Sequence, residues 1–420
     1  MRLSMRVRRA VLNVTAKRYQ KATKKDRGRI LDEFTHVTDY GRKYAAWLLT
    51  NWHRRRVLTV GGVRTVFVFG LKKVRKGLVR PKRPPTYGPE TVRHLKQLWA
   101  LAGGLCGKRL APFIRETLPV LERFEEVTLS VEVRAKLLAV SPATIDRLLA
   151  PERKKYQLKG RSTTRPGSLL KHQIPIRTFA DWDERRPGFV EVDLVAHDGG
   201  FPGPEVIHSL TLTDVATGWT EIRPLKTRAR RWVLEALVDI TRGLPFPLRG
   251  LDCDNGSEFI NVELTAYCTQ HHLTFTRSRP YRKNDSCFVE QKNYTIVRQA
   301  IGYLRLHTEE QLHCLRALHG PLGLFTNHFL PSLKLVKKTR SGSKVIKLYD
   351  QPMTPFQRLI THPDTDKASR VRLLRQHHLL NPAQLRRDIT ACQRQLEELT
   401  ENSQIQKHRK QRTVLDSILR

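Results

Sequence analysis

Phe189-Val190-Glu191-Val192-Asp193-Leu194-Val195-Ala196 is rich in apolar and β-branched residues, and its reading decides the fold. A run of this kind forms a central strand. It sets Asp193 inside that strand, where a charge is costly unless something compensates it. Working outward, Val206 to Val215 and Trp219 to Pro224, joined by Ala216-Thr217-Gly218, read as a hairpin pairing with the first strand. A helix over Ala229 to Thr241 precedes a short strand, Leu248 to Cys253, which ends at Asp254-Asn255-Gly256, a turn that exposes its carboxylate. A helix (Phe259 to His271), a strand (Leu273 to Ser278), the loop Arg279-Pro280-Tyr281-Arg282-Lys283-Asn284-Asp285 and a last helix (Cys287 to Tyr303) complete the series. The expected product is an α/β core, a mixed five-stranded sheet flanked by helices. The order of elements can bring the middle of the first strand, the end of the fourth and the start of the final helix to one sheet edge, where Asp193, Asp254 and Glu290 converge.

Converging acids have a chemical use. Phosphodiester cleavage needs a nucleophilic oxygen and a stabilised leaving oxygen in line, and two hard cations about 3.5–4 Å apart serve both. Oxygen ligands suit Mg²⁺ or Mn²⁺; without metal, clustered carboxylates repel and one or more holds a proton. Any one of these acids alone is accounted for as a surface or capping residue. Their joint spacing decides, with 35 residues lying between Asp254 and Glu290. Competing acids are Asp252 on the same strand face as Asp254, Asp214 at the end of the second strand, and Asp198 and Glu258 flanking the motif residues.

Three blocks carry a resemblance. Val190-Glu191-Val192-Asp193, Asp254-Asn255-Gly256-Ser257-Glu258-Phe259, and Ser278-Arg279-Pro280-Tyr281 through Phe288-Val289-Glu290-Gln291-Lys292-Asn293 resemble, in this order, signatures of the catalytic core of retroviral-type integrases and insertion-sequence transposases. The resemblance covers Ser168 to Leu304 and extends over the whole chain at the level of an insertion-sequence transposase. It implies an RNase H-like fold, catalytic and metal-holding roles for Asp193, Asp254 and Glu290, and two Mg²⁺ (or Mn²⁺) ions per active site. It also implies no covalent protein–DNA intermediate: water first frees a 3′-hydroxyl at an element end, and that hydroxyl then attacks target DNA. A homodimer or tetramer assembled on DNA is the expected partner state. The chain departs from retroviral integrases upstream, where His36, His53, His94 and Cys106 have no ligand-like spacing, so no zinc is expected. Cys268 with His271 and His272 reads as a helix end. Lys292 and Arg298 on the last helix are assigned to DNA, although Lys292 lies off the Glu290 face.

Composition points the same way. The chain has 420 residues, 39% of them apolar, enough for two to four domains with buried cores. Lys and Arg number 77 against 39 Asp and Glu, a net charge of +38. Such an excess implies a polyanionic partner whose counterions are released on binding, here double-stranded DNA. No run of about 18 apolar residues is present, and the basic Met1 to Arg9 is not followed by an apolar signal region. No membrane association is expected. Six cysteines without a C-x-x-C pair fit a reducing compartment, so the expected location is the cytoplasm, on the nucleoid.

The flanks read as DNA-gripping modules. From Arg27 to His53, two helical patterns flank Thr38-Asp39-Tyr40-Gly41, a helix-turn-helix reading, followed at once by Arg54-Arg55-Arg56. A second such unit runs from Ser130 to Leu149, with Ser141-Pro142 as N-cap and first helical position, after helices near Glu90 to Leu101 and Lys108 to Phe124. Between them lies a basic, proline-bearing linker suited to a minor groove. The expected divisions are an N-terminal helix-turn-helix region (1–70), the basic linker (71–88), a second helical DNA-binding domain (89–158) and a further linker (159–175). The catalytic core (176–312), a small basic β-rich module (313–365) and a helical basic tail (366–420) follow. Candidate DNA contacts are Arg42, Lys43, Arg54, Arg55, Arg56, Arg80, Lys82, Arg83, Arg147, Arg279, Lys283, Asn284, Lys292 and Arg298. The chain reads as a transposase that binds its own element's ends and performs cleavage and strand transfer. The alternatives are a transposase-derived DNA-binding regulator with an idle core and a nuclease that cuts without joining.

Overall fold

The computed structural model describes residues 3–60, 63–69, 86–154, 176–177, 186–200, 205–254, 256–278, 287–341 and 344–400. Met1–Thr86 and Tyr87–Arg420 are two compact units. In the first, helices α1 (Met5–Lys21), α2 (Lys24–Thr38) and α3 (Arg42–Asn51) precede an antiparallel hairpin of β1 (Arg55–Val60) and β2 (Val63–Val68). Thr23 caps α2 by accepting the Asp26 N–H at 3.3 Å, meeting one of the orphan donors of a helix start. α2 stops where Asp39 turns into the left-handed region (φ 56°), its N–H donating to Thr35 O at 2.9 Å. The three helices close on Leu12, Ala16, Phe34, Ala45, Leu49 and Trp52.

The second unit opens with α4 (Pro89–Leu101), α5 (Gly107–Arg123), α6 (Val131–Ala139) and α7 (Pro142–Arg153). Ser141 caps α7, accepting the Thr144 N–H at 3.3 Å, with Pro142 at the first helical position, as the sequence implies. A sheet follows, built from β3 (Ile176–Arg177), β4 (Phe189–Ala196), β5 (His208–Asp214), β6 (Thr220–Leu225), β7 (Gly250–Cys253) and β8 (Thr274–Ser278). Its order is β3-β8-β7-β4-β5-β6, with β4–β5 and β5–β6 antiparallel and the remaining pairs parallel. The expected five strands are present in their expected order, and the two-residue β3 adds a sixth at the edge. The connections carry α8 (Arg230–Gly243), α9 (Val262–Gln270) and α10 (Cys287–Lys292), which continues as a π-helical segment (Asn293–Arg298) and the short α11 (Gln299–Ile301).

Strand alternation divides the core into two layers. Val190 and Val192 of β4, Leu210 and Leu212 of β5, and Leu251 and Cys253 of β7 pack with Val233, Leu237 and Ile240 of α8 and Leu264 of α9. The other face presents Val195 and Ile207 to Ile296, Val297 and a long helix, α12 (Glu309–Phe329). The same cluster takes in Trp99, Phe113, Ile114, Ile145 and Leu149 of the helical bundle. The chain ends with a hairpin of β9 (Leu335–Ser341) and β10 (Lys344–Tyr349), then α13 (Pro355–Thr361), α14 (Lys367–Leu379) and α15 (Pro382–Glu398). No helix among the described residues is long and apolar enough to cross a membrane.

Two divisions differ from the expected ones. The region 313–365 is not simply β-rich, because its first part is the C-terminal stretch of α12; only residues 335–349 form a hairpin. Gly320, Pro321 and Gly323 lower helix propensity inside α12, but burial of Leu315, Leu318, Leu322 and Phe325 outweighs that local cost. The sequence signal for this helix is its capping box: Thr308 accepts the Gln311 N–H at 3.2 Å, and Gln311 accepts the Thr308 N–H at 3.1 Å. The stripe of Leu385, Ile389 and Leu396 on α15 joins the same core as the bundle, so α15 packs with α4–α7 in one apolar cluster. Arg387 reinforces the contact with two bonds to Glu126, at 2.7 and 2.8 Å.

Strand β6 ends the sheet, and its outer backbone groups need partners. Asn327 of α12 supplies them, accepting the Thr220 N–H and donating to Thr220 O, both at 2.9 Å, with both residues buried. Asn327→Leu leaves that N–H and C=O unmet. The substitution is expected to lower unfolding free energy by about 2–4 kcal/mol, since each unmet buried group costs about 1–3 kcal/mol. Denaturant unfolding with an unchanged midpoint would show that the pairing carries no such load.

Candidate active site

Register places the first two candidate acids side by side. β4 and β7 run parallel with Glu191 beside Asp252 and Val192 beside Cys253, so the next step along both strands sets Asp193 beside Asp254. Because Val190, Val192, Leu251 and Cys253 face the α8–α9 layer, Glu191, Asp193, Asp252 and Asp254 share the opposite face. Glu191 and Asp252 are buried at its base. There Asp252 Oδ1 accepts the Thr276 hydroxyl at 2.5 Å, and Glu191 Oε2 accepts the Val289 N–H at 2.8 Å.

That second bond reaches the helix of the third acid. Val289 precedes Glu290 on α10, and three residues beyond Glu290 the Asn293 amide donates to Asp193 Oδ2 at 2.7 Å. The backbone of Glu290 is therefore held between two ties to β4, one at Glu191 and one at Asp193. The side chain of Glu290 lies outside the described residues. The helix passes into its π-helical segment at Asn293, the residue that makes the second tie; such irregularities are frequent at functional sites.

Asp254 stands one residue past the end of β7, its Oδ1 accepting the Gly256 N–H at 2.8 Å. Burial pushes its carboxyl up to about 6, the neighbouring Glu258 charge adds to the rise, and the Gly256 hydrogen bond opposes it. Gly256 permits this crowding: a Cβ there would lie 2.6 Å from the Glu258 carboxyl and 2.9 Å from Asp254 Oδ1. Asp193 and Asp254 offer only hard oxygen donors, as a divalent cation prefers. Among the described residues no group of three or more His, Cys, Asp or Glu gathers to hold a metal ion. A third carboxylate beside Asp193 and Asp254 would have to come from a side chain outside the described residues, as that of Glu290 is.

The other candidate residues fall in several places. Arg42, Lys43, Arg54, Arg55 and Arg56 are exposed on the first unit, Arg42 paired with Asp32. Arg147 is exposed on α7 and donates to Thr144 Oγ1 at 3.0 Å. Arg80, Lys82, Arg83, Arg279, Lys283 and Asn284 lie outside the described residues. Arg298 is buried and turned inward, donating to Ala196 O at 2.9 Å and lying over the Tyr303 ring. Its position ties the π-helical segment to the end of β4, so its guanidinium makes an internal contact instead of standing free on the helix face as the sequence reading has it. Lys292 is half-buried with its Nζ donating to Gly218 O at 3.1 Å; burial, then Arg109 and Arg358, push it down to about 7. Asp198 and Asp214 are set apart from the carboxylate face. Asp214 is buried in the β5–β6 turn, accepting the Gly188 N–H at 2.8 Å and the Thr217 N–H at 2.7 Å. Glu191 and Asn293 are the residues whose positioning roles sequence reading did not assign. Glu191's place two residues before Asp193 was its only signal.

Comparison with known proteins finds likenesses of sequence over most of the chain. The integrase core domain family matches residues 183–283, a span that holds Asp193 and Asp254 and stops short of Glu290. An uncharacterized protein, y4rM of Sinorhizobium fredii, is 42% identical over 359 residues, 85% of this chain and 96% of that protein. The Pro-Pol polyprotein of feline foamy virus is 32% identical over 95 residues, 23% of this chain and only 8% of the polyprotein. A solved structure, the HTLV-2 integrase catalytic core domain in complex with magnesium in its dimeric form, aligns at 17% identity over 34% of this chain and 89% of that one, with a TM-score of 0.26. Matched to y4rM over nearly all of that protein, and carrying an integrase core domain across its carboxylate-bearing strands, this chain belongs to one family with y4rM.

Proposed function

We propose that this protein is a DNA transposase that binds the ends of its own element and catalyses metal-dependent strand cleavage and strand transfer. The observation that carries the reading is the β4–β7 register, which sets Asp193 beside Asp254 on the face to which Glu191 and Asn293 tie the Glu290 helix. Asp193, Asp254 and Glu290 would hold Mg²⁺ or Mn²⁺, two ions per site. When bound, the ions activate the attacking oxygen and stabilise the leaving oxygen of an in-line phosphoryl transfer. The protein's own part is positional. Asn293 fixes the orientation of the Asp193 carboxylate through its hydrogen bond, and the Gly256 N–H orients that of Asp254. The buried setting of Asp254 strengthens its attraction for a cation relative to one in water.

DNA is held by the basic flanks. The first unit is a helix-turn-helix module in this reading, α2 and α3 joined by the Asp39–Gly41 turn, with the β1–β2 hairpin and Arg54, Arg55 and Arg56 beside it. α6 and α7, with Arg147 exposed, form a second contact region. A net charge of +38 gives both a strong, salt-dependent affinity for phosphates. Two element ends joined together call for a homodimer or tetramer on DNA.

The decisive test incubates purified protein with labelled DNA carrying the inverted repeats that flank its gene, with Mg²⁺ or Mn²⁺. Nicked and joined strands are expected from the parent. Asp254→Asn should lose both by about 10²-fold or more, the scale on which removal of one electrostatic group in a catalytic site registers, while still binding DNA. Nicking without joining would make the protein a nuclease, and salt-sensitive binding with neither product would make it a regulator.

Metal affinity should follow Asp254. Its folded-state pKa, about 6, lies above the ordinary 3.8, so the destabilising buried charge is present above about pH 6 and relieved as pH falls toward 3.8. Metal-free stability should accordingly gain from this group on acidification, and the midpoint of a Mn²⁺ titration should be level above neutrality and weaken about tenfold per pH unit below 6. Asp254→Asn should remove that proton-linked slope; a slope shared by parent and variant would assign it to another group.

A further inference from the structure

On the flank of the carboxylate site, four cations converge with one carboxylate, Asp350, paired to one of them. The β5–β6 turn (Val215 to Gly218) is approached from four elements of the second unit. Lys292 of α10 donates to Gly218 O at 3.1 Å. Lys334, just before β9, donates to Val215 O at 2.7 Å and Ala216 O at 2.6 Å. Arg109 of α5 donates through Nε to Pro331 O at 2.6 Å, and Arg358 of α13 binds Ser332 O at 2.9 Å and the Asp350 carboxylate at 2.5 Å. Of the four, only Arg358 has an ion-pair partner among the described residues. Asp214 and Asp350 act on Lys334 from a distance, and the groups acting on Lys292 are Arg109 and Arg358.

Burying like charges together is unfavourable unless a counter-charge joins them. Backbone carbonyls meet some of the donors but carry no full charge. Among the described residues the terminal guanidinium nitrogens of Arg109 make no hydrogen bond, and Lys292 uses one of its three donors. Lys292, Arg109, Lys334 and Ser332 each keep partial solvent exposure as whole residues, while burial of the cationic ends is what lowers Lys292, Arg109 and Lys334. Gly218 sits under two of these polar groups: a Cβ there would be in ordinary contact with Lys292 Nζ and Ser332 Oγ, each at 3.9 Å. Arg109 is held below the ordinary guanidinium range by burial, as a cation without a counter-ion should be.

We propose that Arg109, Lys292 and Lys334, gathered at the β5–β6 turn, form a seat for one phosphate of the DNA backbone. The proposal rests on the reading of the protein as a DNA-processing enzyme and adds a binding subsite to it. β5 pairs Thr211 with Asp193 and ends at Asp214, three residues on, so the turn begins roughly 10 Å along the sheet from the carboxylates at about 3.3 Å per residue. Neighbouring nucleotides of one strand span that reach. A phosphate seated there would fix the strand with the scissile bond over Asp193 and Asp254, and would lock α5, α10 and the segment before β9 together.

Two measurements on the full-length protein test it. In the first, thermal unfolding is followed while chloride is exchanged for inorganic phosphate at constant ionic strength. The parent should show a saturable rise in Tm that Arg109→Gln/Lys292→Gln loses and Asp254→Asn keeps. In the second, the slope of log affinity for DNA against log salt should fall by about one in the double variant, the loss of one phosphate contact. Should the double variant not fold, Lys292→Met, which keeps the aliphatic stem, carries the same comparisons. An equal phosphate response in parent and variant overturns the seat. A lost phosphate response with an unchanged DNA slope overturns its assignment to DNA and leaves a site for free phosphate. Absence of cutting and joining in the parent would bear on the proposed reaction, since neither measurement requires it.

Discussion

The second unit is organised around acids it must tolerate on one face of two neighbouring strands. Glu191 and Asp193 on β4 lie beside Asp252 and Asp254 at β7, and four carboxylates at that spacing repel one another in a medium of low dielectric. The fold manages the lower pair with hydrogen bonds, the Val289 N–H to Glu191 and the Thr276 hydroxyl to Asp252. The upper pair is left half-buried, and Asp254 rises to about 6 through burial, with the Glu258 charge adding to the rise. An arrangement that is costly to fold and unneeded for packing marks this face as the candidate functional site.

The same hydrogen bonds that quiet the lower acids build the site. Glu191 is at once a buried charge that needs a donor and the anchor for the helix bearing Glu290. Asn293 does the reciprocal service for Asp193 at the point where the helix widens into its π-helical segment. Arg298 completes the set of ties by reaching Ala196 O beyond the end of the acidic stretch. The helix runs alongside β4 pinned at its base, middle and top, so the position of Glu290 along the strand is determined by backbone and amide contacts.

Around this centre, later parts of the chain serve as supports. α12 closes the open edge of the sheet through Asn327 and joins the helical bundle and α15 to the sheet in one apolar cluster. The β5–β6 turn is held internally by Asp214 and externally by Lys334 and Lys292. Basic residues that composition alone assigns to a DNA-binding surface thus divide into two kinds: exposed ones on α3 and at the start of β1, and half-buried ones that gather beside the active face.

Local pattern was enough for the sequence to determine five of the strands and their succession along the chain, and to single out three candidate acids. Alternation in Phe189–Ala196, the Asp254-Asn255-Gly256 turn and the interval to Glu290 are all written within single elements or in the distance between them. So are the Ser141 cap and the break at Asp39 between α2 and α3. What depends on partners distant in the chain was decided only by the tertiary structure. Glu191 looks like any charge in an alternating strand until the Val289 N–H meets it 98 residues on. Arg298 looks like a helix-face cation until it turns inward to Ala196. α12 carries glycines and a proline that argue against a helix locally, and it forms because burial against the sheet and the bundle outweighs a propensity deficit of about 1 kcal/mol per glycine. Periodicity and capping are short-range and survive in the sequence; charge compensation and edge pairing are long-range, and exist only once the strands are in register.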